Sequence, residues 1–140
     1  MQVVDASCLY EAVVDGERAR AVEVCFLADP DLMAPHLVDV EVSTAIRRNH
    51  AAGLLDSTAA RLALDSLATW PGERFGHQLL TPRVWQLRDS VRVADAYYVA
   101  LAEAMECPLL TLDSRLARAP GVRCAIVIPD GTGSNDVQTE

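Results

Sequence analysis

The 140-residue chain contains no lysine, and all 12 of its basic residues are arginine. Receiver domains and haloacid-type phosphatases place acids at strand ends, but they rely on a lysine to hold the phosphoryl group. The missing lysine therefore excludes both. No GxxxxGK[ST] run occurs, which removes a P-loop enzyme. No apolar run reaches the roughly 18 residues of a bilayer span, and MQVVDAS at the N-terminus has no basic region before a hydrophobic segment. A cytoplasmic chain with no membrane association is expected. The cysteines, Cys8, Cys25, Cys107 and Cys124, form no CxxC pair and have apolar neighbours, so buried reduced thiols are expected instead of a zinc site. Aromatic residues make up 5% of the chain, too few for extensive base stacking along a strand.

What the chain has in excess is acid. Its formal net charge of −8 argues against a polyanionic partner at first reading. Three of those acids, Asp130, Asp136 and Glu140, lie in the polar segment after Pro129; setting them aside leaves −5 on the body. Two divalent cations held by the body's acids would bring that to −1. The length suits one domain with a single core, and 51% hydrophobic residues agree with a compact fold.

Short apolar strands alternate with helical patterns along the chain. Strands are expected at Gln2 to Val4, Leu32 to Ala34, within Arg74 to Leu80, at Leu109 to Leu112 and at Arg123 to Ile128. Helices are expected over Ala6 to Val14, Glu17 to Ala28 and His36 to Ala52. Further ones follow Asp56-Ser57 to Leu67 or Trp70, run from Thr81-Pro82 to about Ser90, with Thr81 as the cap, and start at Asp95. This alternation predicts an α/β layer with a mainly parallel sheet, in which sites gather beyond the carboxyl ends of the strands. One domain over residues 1–128 and a loose polar tail over 129–140 complete the expectation.

Four acids occupy telling places. Asp5 and Asp113 each end a strand, and the two would share one crevice if the first and fourth strands are neighbours. Asp95 opens an almost wholly apolar helical run. A single acid in such a position is ordinarily a cap or a turn residue. Glu41 resists that explanation. His36, Asp39, Ser43, Arg47 and His50 form the polar stripe of its helix, and at ~100° per residue Glu41 stands about 200° from Asp39 and Ser43. A carboxylate facing the core needs a cation, a proton or the rim of a site.

VVDAS at the N-terminus, the inward Glu41, ADAYYVALAEA and LLTLDSRLAR together resemble a PIN-domain ribonuclease, most closely the VapC toxins of toxin–antitoxin pairs. The resemblance extends from Gln2 to about Ile128. It implies a three-layer fold with a short, mainly parallel central sheet flanked by helices, and an acidic quartet of Asp5, Glu41, Asp95 and Asp113. Ser7 and Thr111 match supporting hydroxyl positions. Some relatives carry a further acid near the fourth position, where this chain has Ser114 and Arg115.

The resemblance also implies an activity. Clustered carboxylates repel unless a divalent cation neutralises them, and oxygen-only ligands favour Mg2+ or Mn2+ over zinc. A cation held by Asp5, Asp95 and Asp113, with Glu41 as a further ligand or as the group orienting the nucleophile, would activate water against an RNA phosphodiester. Arg115, Arg92 and Arg118 are the expected phosphate-binding residues, with Arg47 and Arg48 as further candidates at the rim. Implied partners are RNA, a second copy of the chain and a small antitoxin. The antitoxin is expected over the Glu17 to Ala28 and Asp56 to Trp70 helices, where Leu54, Leu55, Leu62 and Leu67 exceed what a small core absorbs. A catalytically silent interaction domain with the same fold is the alternative.

Overall fold

The computed structural model describes residues 1–130 and the strand pairing of Val137–Gln138. Five parallel strands follow the order β3 (Glu73–Phe75), β2 (Leu32–Pro35), β1 (Gln2–Val4), β4 (Leu109–Leu110) and β5 (Ile126–Val127). Val3 lies opposite both Met33 and Leu109, so β1 is central and β4 is its direct neighbour. Strands this short, buried on both sides, need continuous apolar sequence, which Val3, Val4, Leu109 and Leu110 supply at 0% exposure.

A sixth strand, β6 (Val137–Gln138), pairs antiparallel with β5 at the sheet edge. The tail expected to stay unpacked thus contributes a strand, while its residues 131–136 and 139–140 lie outside the described residues.

Helices flank the sheet. α1 (Ala6–Val14) packs on α2 (Ala19–Ala28), α3 (Leu37–Ala51) and α4 (Ser57–Ala68). α6 (Val93–Ala104) lies against β1, β2 and β4 and carries α5 (Thr81–Gln86). Its Ala96, Tyr98, Val99, Ala100, Leu101 and Ala102 are all buried, which explains a helix that is apolar almost all round. α4 begins as its sequence dictates, with the Asp56 carboxylate accepting from the Ala59 amide at 2.7 Å. Gly53, just beyond α3, adopts φ +77°, which a residue without Cβ enters at no steric cost.

Several boundaries differ from expectation. The third strand stops at Phe75, because residues 77–80 turn into α5 instead of extending. Thr81 does not cap α5; its hydroxyl bonds back to the His77 carbonyl at 3.2 Å, and Leu80 takes the cap position. α6 starts at Val93 with Arg92 as its cap residue, so Asp95 sits inside the first turn. Leu67 is a core residue at 4% exposure, whereas Leu54 and Leu62 remain exposed. The four cysteines form no disulfide, with Cys8, Cys25 and Cys107 buried and Cys124 half-buried. Among the described residues no helix is long and apolar enough to cross a membrane.

Candidate functional site

β1 and β4 end side by side, and the chain leaving each carries an acid into the same cleft. That cleft, of about 530 Å³, is lined by Asp5, Glu41, Asp95 and Asp113 together with Ser7, Tyr10, Thr44, Arg48 and Arg92. Four separate elements contribute the acids. Asp5 follows β1, Glu41 lies on α3, Asp95 on α6, and Asp113 stands between β4 and a 3-10 turn at Ser114–Arg118.

Asp5 is the most buried of the four, at 7% exposure. Its Oδ2 accepts from the Thr111 hydroxyl at 2.6 Å and from the Ser7 hydroxyl at 2.9 Å. Burial nevertheless dominates and raises its pKa; the two hydroxyls pull the other way, and the Asp95 charge adds to the rise. Thr111, fully buried, also accepts from the Asp113 amide at 3.1 Å, while Ser7 accepts from the Leu112 amide at 3.0 Å. These two hydroxyls tie the ends of β1 and β4 together.

Glu41 is half-buried. The core stripe of α3 is Val38, Val42 and Ile46, so Glu41 flanks that stripe at the edge of the cleft and does not point into the centre of the core. Its Oε1 is buried without a hydrogen-bond partner among the described residues. Burial raises its pKa first, and Asp5 and Asp95 add to that; Tyr98 and Arg92 oppose it. The Tyr98 hydroxyl acts on Glu41 electrostatically, yet neither atom completes a hydrogen bond of ordinary geometry. Tyr98 was not distinguishable from a core aromatic in the sequence, where it reads as one more apolar position of α6.

The other two acids are gripped by arginines. Arg92 donates to Asp95 through Nε at 3.0 Å and Nη2 at 3.4 Å, and Arg115 holds Asp113 through Nε at 2.9 Å and Nη2 at 2.7 Å. The Arg115 fork, with its backbone amide, holds the Asp113 pKa below the ordinary carboxylate range. Arg92 and Arg115, expected to bind phosphate, are each engaged by a neighbouring acid. Arg118 is exposed at the end of the 3-10 turn and does not line the cleft. Arg47 lines a shallow groove beside it, with Asp39, Val40, Ser43 and Thr44. Arg48 lines the cleft itself and has no acidic partner among the described residues.

A divalent cation can be tested against this arrangement. The donors are all oxygens, Glu41 Oε1 is buried without a partner, and two carboxyls are destabilised in their charged form. Those features fit a hard cation. Among the described residues no three potential ligands already converge at metal-binding distance. Arginine forks meanwhile occupy both oxygens of Asp95 and of Asp113.

Comparison with known proteins adds to this geometry. The family model of the PIN domain matches residues 3–122. Ribonuclease VapC1 of Mycobacterium tuberculosis is 44% identical over 126 residues, which cover 89% of this chain and 94% of the relative. Ribonuclease VapC3 of the same organism is 40% identical over 118 residues, 84% of this chain and 85% of the relative. Among solved structures, VapBC2 from Rickettsia felis, bound to a DNA fragment from their promoter, matches with a TM-score of 0.67 at 12% identity, covering 92% of this chain and 98% of that one. At that identity the solved structure speaks for the fold alone.

Proposed function

The chain belongs to the PIN-domain family, among relatives named VapC ribonucleases, and from that premise we propose that it is a metal-dependent endoribonuclease acting as the toxin of a toxin–antitoxin pair. The observation that carries this reading is the convergence of Asp5, Glu41, Asp95 and Asp113 from four elements on one cleft. Nothing in packing or helix capping requires all four to meet there.

In this reading Asp5, Asp95 and Asp113 hold Mg2+ or Mn2+. Glu41 is a further ligand or orients the attacking water. When bound, the cation neutralises the carboxylates and makes water acidic enough to attack a phosphodiester. Thr111 and Ser7 aim Asp5 and counter part of the burial that raises its pKa. Arg48 offers a free guanidinium to a backbone phosphate. Arg92 and Arg115 are exposed over most of their side chains, at 75% and 81%, so their forks can pass from carboxylate to phosphate as RNA and cation enter.

The partners follow the same reading. Leu27 and Val24 of α2 and Leu62 and Leu64 of α4 are exposed apolar side chains on two helices that both pack on α1. A cytoplasmic homodimer, with a small antitoxin laid over this apolar surface, would cover them. Light scattering that finds only monomer over a wide concentration range refutes the dimer.

The test of the activity is RNA cleavage by purified chain, free of antitoxin, with Mg2+ or Mn2+ and then with chelator. Cleavage should require the cation and fall at least a hundredfold in Asp5→Asn and Asp95→Asn. Equal cleavage by wild type and variants refutes the site. A folded wild type with no cleavage under any condition leaves the silent interaction domain as the reading.

A further inference from the structure

We propose that Tyr98 is a positioning residue for Glu41: its buried hydroxyl donates to Oε1 and fixes the carboxylate at the edge of the cleft. Tyr98 lies on α6, three positions beyond Asp95, and is 0% exposed. Three buried side-chain polar atoms lack a hydrogen-bond partner among the described residues; besides Trp70 Nε1 they are the phenol oxygen of Tyr98 and Glu41 Oε1, which act on each other. Of this pair, one is a donor and the other accepts only, so each is what the other lacks. Buried polar groups are almost always paired, and leaving either one orphaned is costly.

The surroundings of Tyr98 argue that the hydroxyl is kept for this purpose. Its helical neighbours Ala96, Val99, Ala100, Leu101 and Ala102 are buried and apolar, and phenylalanine would fill the same space with no polar atom to satisfy. The phenol is also held far from ionisation, first by burial and then by the Glu41 charge, with Asp5 contributing. It therefore remains a donor throughout the working pH range. The two groups are near enough to act on each other, so a turn of the hydroxyl and of the Glu41 carboxylate would complete the bond. The bond leaves the other Glu41 oxygen to act in the cleft, so a carboxylate that flanks the core acquires one orientation instead of several.

The kinetic part of the test rests on the ribonuclease reading; the spectroscopic part does not. Full-length Tyr98→Phe should stay folded, since the ring that fills the core is kept and only the hydroxyl is lost. Its kcat for RNA should fall about tenfold with KM within twofold, because orientation is lost and binding is not. In the metal-free protein, the ultraviolet resonance Raman difference between wild type and Tyr98→Phe isolates Tyr98 from Tyr10 and Tyr97. That spectrum should show a hydrogen-bond donor, and the signature should weaken in Glu41→Gln. An unchanged kcat in Tyr98→Phe overturns the proposal, as does a Tyr98 signature indifferent to Glu41→Gln. If the wild type cleaves no RNA, the ribonuclease reading fails and the Raman pair alone decides whether Tyr98 holds Glu41.

Discussion

Arg115 closes one edge of its guanidinium on Asp113, Nε on Oδ1 at 2.9 Å and Nη2 on Oδ2 at 2.7 Å, while its own backbone amide donates to Oδ1 at 3.0 Å. A residue two positions along the chain thus supplies three of the acid's hydrogen bonds. The acid can serve a cation only by giving some of them up.

Competition of this kind is measurable. Arg115→Gln should tighten Mn2+ binding severalfold by calorimetry, since the fork no longer competes for Asp113, and should weaken RNA binding because a phosphate contact is lost. Unchanged Mn2+ affinity would show that Asp113 takes no part in holding the ion.

Asp5 sets an opposing stability demand. Its folded pKa lies above the unfolded one, so the folded chain binds this proton more tightly. Stability from this group is greatest below the unfolded pKa and declines as pH rises through the folded value. Asp5→Asn should therefore raise the melting temperature of the metal-free protein at pH 7 by about 2–4 °C. It should also flatten the pH dependence while abolishing cleavage. Thermal scans from pH 4 to 8 decide it. Asp113 runs the other way: its lowered pKa adds stability above the unfolded value that is lost as pH falls through the folded one.

Thr111 joins the two strand ends through one hydroxyl, donating to Asp5 and accepting from the Asp113 amide. Thr111→Val preserves shape but removes the shorter of the two hydroxyl bonds to a buried carboxylate. A loss of about 1–3 kcal/mol in urea unfolding is expected. Mn2+ should restore part of it, by neutralising the charge that the hydroxyl had served.

Far from the cleft, Glu103 is paired with Arg83 at 2.6 and 3.1 Å and accepts from the Arg123 amide at 2.9 Å, with its side chain 12% exposed. Glu103→Ala leaves a mostly buried guanidinium without its acid. It should destabilise by about 3 kcal/mol, with kcat unchanged at a temperature where the chain stays folded. A fall in kcat there would show that α5 and α6 transmit to the site.

The sheet and the acids were legible because they obey local rules. Gln2 to Val4 and Ala6 to Val14 fall where the apolar run and the helical spacing place them, and β1 does lie beside β4. The departure of Glu41 from its polar stripe was visible at helical period. The arginine forks were not, because a guanidinium's choice between a neighbouring carboxylate and a ligand depends on side-chain geometry and leaves no periodic trace. Thr81 failed as a cap for a similar reason: its hydroxyl had a local carbonyl within reach. β3 is shorter than its sequence suggests since the turn at residues 77–80 ends it, and turn placement is a tertiary matter.

The hydrogen bond from Thr111 to Asp5 spans 106 residues of sequence. Because β4 enters the sheet beside β1, the cleft has no floor until the last third of the chain is in place. A polypeptide still being synthesised, or one cut before Leu109, holds three of the acids with no frame to bring them together. Whatever chemistry the cleft performs therefore waits on β4, which strand order makes the last wall of the acidic cleft to be laid down.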